Sequence, residues 1–275
     1  MTSPEYVRRQ ELGGLLQALR SRMHGPAGDG RRGGGLRQED AAARIGISRG
    51  YYAAIERGQR VPSPATVDQI SNALRSGQAE RSALHILAAG QDPPRPLAEP
   101  DGESSPGPGR ALRDIVSRVG PHPAAVTDEL WTVQTFNDAL DSWSGGWYSS
   151  QASGRNMILY LFTAHAAAML PDIDVLRKIS MANLRYQYYR NLGSPAAADL
   201  VARIEAVPQA RELWERREVQ FAPHEYIMRV RAAAGIAEAS VAFLTAGPRA
   251  WLYLMTMPEG TLPPNGSLPP ARHGS

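Results

Sequence analysis

The run Gly35-Leu-Arg-Gln-Glu-Asp-Ala-Ala-Ala-Arg-Ile-Gly-Ile-Ser-Arg-Gly-Tyr-Tyr-Ala-Ala-Ile-Glu-Arg-Gly-Gln-Arg-Val-Pro-Ser63 decides how the first part of the chain is read. From Gln38 to Arg44 it contains no Gly or Pro. Glu39 and Asp40 stand in the first turn, where the positive end of a helix favours carboxylates, and Gly46 follows as a left-handed stop. A short helix is predicted there. Ser48 can accept a free backbone N–H of the next turn, so a second short helix begins at Arg49 and continues through Arg57 to a stop at Gly58. Tyr52 and Ile55 fall on its inward side, and Ile47 packs in the turn. Ser63 followed by Pro64 is a cap with proline at the first helical position, opening a helix whose Val67, Ile70 and Leu74 share a face.

Working outward, Leu12, Leu15, Leu16, Leu19 and Met23 form one apolar stripe on an earlier helix. Ser76 and Gly77 break the chain before a fifth helix through Leu84 and Leu87. Two short helices joined by Gly46-Ile47-Ser48, with small Ala42 where they cross, make the pattern of a helix-turn-helix. On that pattern Ser48, Arg49 and Gly50 face base edges in the major groove, with Ala54 one turn further on. Arg49 is the strong reader, because a guanidinium can bond O6 and N7 of guanine together, whereas Ala54 offers only a contact to a thymine methyl. Glu56 is expected to form a structural ion pair with Arg20 or Arg22.

The same run resembles the phage-repressor-like (XRE) helix-turn-helix family in its Gln38, Gly46, Glu56 and Gly58. Ser48-x-x-Tyr51-Tyr52 and Pro62-Ser63 look like the MmyB-type branch of bacterial regulators. The resemblance implies that Gln38 and groups near the end of the recognition helix meet phosphates, making Gln38, Tyr51, Arg57 and Arg60 the positioning candidates. Charge agrees with this. The first 90 residues hold 13 arginines against 8 carboxylates, and the remainder 17 cations against 19, so the excess lies where phosphate binding is expected.

The chain has 275 residues and no cysteine, which excludes disulfides, thiol nucleophiles and thiolate metal sites. Its six histidines are scattered without ligand spacing, so no metal site is expected. No apolar run approaches the roughly 18 residues of a membrane span, and no secretory signal is readable, so a soluble, cytoplasmic protein is expected. Residues 91–109 carry six prolines and read as a linker. Residues 258–275 read as a disordered tail. The stretch from His24 to Gly35, with Arg31 and Arg32, lacks the strand and Lys-Ser or Lys-Thr pair of a phosphate cradle and reads as a flexible basic loop.

Beyond Arg110 the pattern mixes strand and helix. Alternation at Leu130–Thr135, Glu225–Arg231, Ala239–Leu244 and Trp251–Met255 predicts strands. Asn156–Leu170, Val175–Leu192, Ala196–Val207 and Gln209–Arg216 predict helices, giving an α+β domain with a meander near its end. The architecture expected is therefore multi-domain: an all-α helix-turn-helix domain over 1–90, the linker, an α+β domain over 110–257, and the tail.

This second domain resembles the MmyB-like ligand-binding domain, a PAS-related sensor, over most of 120–257. The resemblance is carried by His122-Pro123-Ala124, Trp131-Thr-Val, Phe136-Asn137 and Leu213-Trp214-Glu-Arg-Arg-Glu-Val219. It implies a pocket between sheet and helices for a small apolar molecule such as a fatty acid. Trp131, Phe136, Trp143, Phe162, Met181, Tyr186 and Tyr253 are the candidates to line it, against the plainer reading that they are core. Ala164 and Ala168 are the positions from which a tryptophan should fill it.

No nucleophile-base pair, paired carboxylates or nucleotide fingerprint is readable, so neither an enzyme nor a bound cofactor is expected. The function expected is a transcriptional regulator, a homodimer on a palindromic DNA operator, whose second domain senses a small molecule. The alternative is a regulator whose second domain is a ligand-free dimerisation or partner-docking module.

Overall fold

The computed structural model describes residues 3–23, 35–89, 108–152, 154–232, 235–247 and 249–258. The basic loop after His24, nearly all of the proline-rich linker and the C-terminal tail lie outside the described residues. The chain forms two compact units, Met1–Leu97 with Arg185–Phe221, and Ala98–Leu184 with Ala222–Ser275.

The first unit opens with α1 (Pro4–Arg22), α2 (Gln38–Ile45), α3 (Arg49–Glu56), α4 (Pro64–Ala73) and α5 (Gln78–Ala89). Leu12, Leu15, Leu16 and Leu19 of α1 are all at most 2% exposed. Full burial of each such side chain is worth about 1.5–3 kcal/mol, and this stripe gathers α3 and α5 around α1. The α1–α3 crossing is so close that a Cβ at Gly13 would collide with the Glu56 carbonyl. Gly46 closes α2 at φ 82°, its N–H donating to the Ala42 carbonyl at 3.0 Å. Ser48 caps α3 by accepting from the Tyr51 N–H at 3.2 Å, and Ser63 caps α4 by accepting from Thr66. The five helices, the turn and the caps are where the sequence places them.

In the second unit α6 (Arg110–Arg118) precedes β1 (Ala124–Asp128) and β2 (Val133–Phe136). Short helices α7 (Asp138–Trp143), α8 (Trp147–Ser150), α9 (Met157–Tyr160) and α10 (Ala164–Met169) follow, then the long α11 (Ile173–Arg190). Helices α12 (Pro195–Glu205) and α13 (Pro208–Glu215) belong to the first unit, as does α11 from Arg185 onward. The chain then runs through β3 (Glu225–Ala232), β4 (Gly235–Gly247) and β5 (Ala250–Thr256). The five strands make one antiparallel sheet in the order β2-β1-β5-β4-β3. On one face Val116 of α6 packs on Ala124 and Val126 of β1. The opposite face carries Tyr253, Phe243, Tyr226 and Met228, which face the cavity described below.

Three expectations need correction. Alternation alone misses strand β1, because Ala124, Ala125, Val126 and Thr127 are all buried and so show no alternation. The single helix expected over Asn156–Leu170 is two: Asn156 caps α9, and Thr163 accepts from the Ala166 N–H at 3.1 Å to start α10 afresh. Ala164 and Ala168 on that second helix are exposed, so a tryptophan at either points to solvent and fills nothing.

Candidate DNA-reading helix and ligand cavity

The exposed start of α3 is built by its buried side. Tyr52 and Ile55 are fully buried, which turns Ser48, Arg49 and Gly50 outward. The Arg49 side chain is 70% exposed and reaches Glu39 only at 3.8 Å, so it is free to leave for a base edge. Around Gly50 there is open space. Tyr51 and Ala54 are half-buried on the same helix; Arg57 and Arg60 are exposed just beyond its end, Arg57 bonding Gln59 at 3.1 Å.

Beneath this surface lies a buried polar knot. Glu56, 4% exposed, accepts from Arg20 Nε at 2.7 Å and from Gln38 Nε2 at 2.6 Å, while Arg20 Nη1 donates to the Leu36 carbonyl at 2.6 Å. One carboxylate thus ties the recognition helix to α1 and to the start of α2. Arg20 is the partner that Glu56 takes; Arg22 pairs with Glu80 instead. Gln38, placed on phosphate by the family resemblance, spends one amide hydrogen on Glu56 and retains a second.

In the second unit a cavity of about 290 Å³ lies between the sheet and the helices. Of the candidates, Trp131, Trp143 and Tyr253 line it. Phe136, Phe162, Met181 and Tyr186 do not. Phe136 packs on Tyr148 and beneath Arg155, Phe162 lies under the Arg177 guanidinium at 5.3 Å, and Met181 is a buried core residue. Tyr186 belongs to the first unit, where it meets Phe221 edge to face at 4.9 Å. The remaining aromatic wall is Tyr148, Tyr160, Tyr226 and Phe243. Tyr226 and Phe243 were legible as inward positions of alternating strands; Tyr148 was hidden in a Gly- and Ser-rich stretch with no periodicity.

Trp131 enters the cavity from an unusual backbone. Asp128 Oδ1 accepts from the Leu130 and Thr132 N–H groups at 2.9 and 2.8 Å, forming a tight β1–β2 connection in which Trp131 takes φ 63°. A bulky residue held in that region is strained, and such strain concentrates at ligand clamps.

Four lining residues carry a buried polar atom with no partner: Trp131 Nε1, Trp143 Nε1, Tyr160 Oη and Asn183 Oδ1. Charge at the cavity is balanced, because Arg229 grips Asp172 with both Nε, at 2.6 Å, and Nη2. That grip holds the Asp172 carboxyl below its ordinary range. Burial raises the phenols of Tyr148, Tyr160 and Tyr253, and that of Tyr226 to about 12, so all four are neutral donors at ordinary pH. Among the described residues no cluster of metal-binding side chains occurs, and no helix is long and apolar enough to cross a membrane.

Comparison with known families agrees with both halves. Residues 11–84 match a helix-turn-helix domain family, and residues 108–262 match the MmyB-like transcription regulator ligand binding domain. No curated protein matches the sequence. These are families of DNA-binding regulators and their ligand-binding domains, not of enzymes. Because the second match covers more than half its length, the chain belongs to the MmyB-like transcription regulator ligand-binding domain family, joined here to an N-terminal helix-turn-helix.

Proposed function

We propose that this regulator reads a palindromic operator as a homodimer, through Arg49, and that its second domain senses a small, mostly apolar molecule. The observation that carries the DNA half is the outward, nearly unpaired Arg49 at the start of a helix whose other face is fully buried. Ser48 and Gly50 border it, Ala54 lies one turn on, and Gln38, Tyr51, Arg57 and Arg60 are the phosphate contacts in this reading. One helix-turn-helix makes few base contacts, which is why two copies on a two-fold site are part of the proposal. Acting on DNA places the protein in the cytoplasm. The domain boundaries that go with this reading are 1–90 and 110–257.

The sensor half is supported by the cavity. Its walls are aromatic and aliphatic, its one ion pair is internally neutralised, and its unpartnered groups are mostly donors. A ligand with an apolar body and one hydrogen-bond-accepting end suits such walls, a fatty acid being the case implied by the family resemblance. The antiparallel sheet in the order β2-β1-β5-β4-β3, with the cavity between one of its faces and the helices that cover that face, supports the PAS-related reading.

The test is denaturing extraction of the purified protein followed by mass spectrometry, with Trp131→Phe and Tyr160→Phe as controls. A stoichiometric apolar molecule, reduced in the variants, supports the sensor. Protein that carries nothing and takes up no fatty acid contradicts it and favours the docking-module alternative, for which exposed Ile227 and Leu244 on the sheet offer a surface.

A further inference from the structure

Within the first unit, one flank of α1 is occupied by the segment Arg185–Phe221. Pro4, Glu11 and Gly14 fall at i, i+7 and i+10, on one side of the helix. Each meets that segment. Pro4 lies against the turn at Gly193, where an added Cβ would come within 3.1 Å of the proline. Glu11 Oε2 accepts from Arg217 Nη1 and, at 3.5 Å, from Arg185 Nη1. At Gly14 the Arg217 guanidinium fills the space a side chain would take. Glycine inside a helix is a poor choice on propensity alone, and here it admits a cation.

Arg185 is the unusual member. Its side chain is 2% exposed, its guanidinium stacks on the Trp214 indole at 3.6 Å, and it donates to the Trp214 carbonyl oxygen. A buried guanidinium is tolerated only with a carboxylate and good hydrogen bonds, and the carboxylate it shares with Arg217 is Glu11 of the DNA-reading domain. Two residues before Arg185 on the same uninterrupted helix is Asn183, a cavity-lining residue whose Oδ1 has no partner. Ile179 and Ser180 of α11 line the cavity as well.

We propose that the flank of α1 formed by Pro4, Glu11 and Gly14 is the docking surface for residues 185–221 of the same chain, and that the Glu11–Arg185–Arg217 triad reports the state of the cavity to the DNA-reading domain. The inference rests on the sensor reading. An occupant engaging Asn183 shifts the last turns of α11, and Arg185 cannot follow without loosening its hold on Glu11. Coupling of this kind equals the occupant's difference in affinity for the docked and released states.

The experiment uses the full chain, with Ser180→Phe as a built-in occupant and Glu11→Gln to open the triad; Ile179→Phe and Arg217→Gln stand in if either fails to fold. Hydrogen exchange is followed in α12 and α13, and affinity is measured on an operator selected from random DNA by the wild-type protein. Glu11→Gln should raise exchange in α13 by at least about tenfold while α2–α5 keep their protection. Ser180→Phe should change operator affinity by about fivefold in the wild-type background and not in Glu11→Gln. Unchanged exchange in Glu11→Gln overturns the docking. An equal change in both backgrounds overturns the triad as the route while the sensor reading stands. No change in either background overturns both.

Discussion

The Trp131 indole meets the Phe243 ring edge to face at 4.7 Å, and it does so from a left-handed backbone at φ 63°. The contact closes one wall of the cavity, and the turn that Asp128 organises is what makes it reachable. Two opposing effects therefore meet at one residue. Packing of the ring stabilises the domain, and the backbone conformation costs part of that gain.

These effects predict an inverted order of stability. Trp131→Ala loses the ring and keeps the strain, so it should cost about 3–5 kcal/mol. Trp131→Gly loses the same ring but relieves the backbone, and should be less destabilising by about 1 kcal/mol although it is the smaller residue. Urea unfolding of the two variants checks this; a glycine variant less stable than the alanine variant contradicts the strain.

Glu56 should be the least replaceable polar residue of the DNA-reading domain. Glu56→Ala leaves Arg20 and Gln38 without their shared acceptor in a nearly closed site, at an expected cost of about 3–5 kcal/mol. Glu56→Gln, which can still accept, should cost less. Since α1–α5 contain no tryptophan and Trp214 of the same unit would report on the 185–221 segment, hydrogen exchange of α1–α5 amides is the measurement to use rather than fluorescence. Equal stability of Glu56→Ala and the wild type would show that the knot is ornamental.

The buried phenols predict an alkaline transition. In the folded chain Tyr226 stands at about 12, against an ordinary value of 10.0, and burial also raises Tyr148 and Tyr253. Between those limits the folded state holds protons that the unfolded state has released. The associated stability is complete below pH 10 and is lost as pH rises toward 12. Phenolate absorbance from these residues should appear together with loss of the fold. Smooth ionisation with the fold retained would mean that solvent reaches the cavity.

The DNA-reading domain was almost wholly legible, because each of its signals is local: Ser48 and Ser63 as caps, Gly46 as a stop, and a leucine stripe at helical spacing. The family resemblance also located the second domain, and alternation found Tyr253. The cavity was only partly legible, because its walls come from strands and short helices far apart in sequence. Phe136 and Phe162 look like pocket residues by type, yet Arg155 and Arg177 cover them, a pairing no spacing announces. The contribution of residues 185–221 to the first unit was equally hidden: Glu11 and Arg217 are 206 positions apart.

The central claim is that this chain reads a DNA sequence through Arg49. The measurement that meets it most directly is the binding of wild-type and Arg49→Ala protein to fragmented genomic DNA, with the selected operator and random DNA as references. The wild type should occupy a small set of sites with two-fold symmetry. Arg49→Ala should lose about 1–3 kcal/mol per half-site, and with it the preference for those sites, while retaining weak, salt-sensitive binding. An Arg49→Ala protein with the wild-type ratio of operator to random binding would contradict the reading.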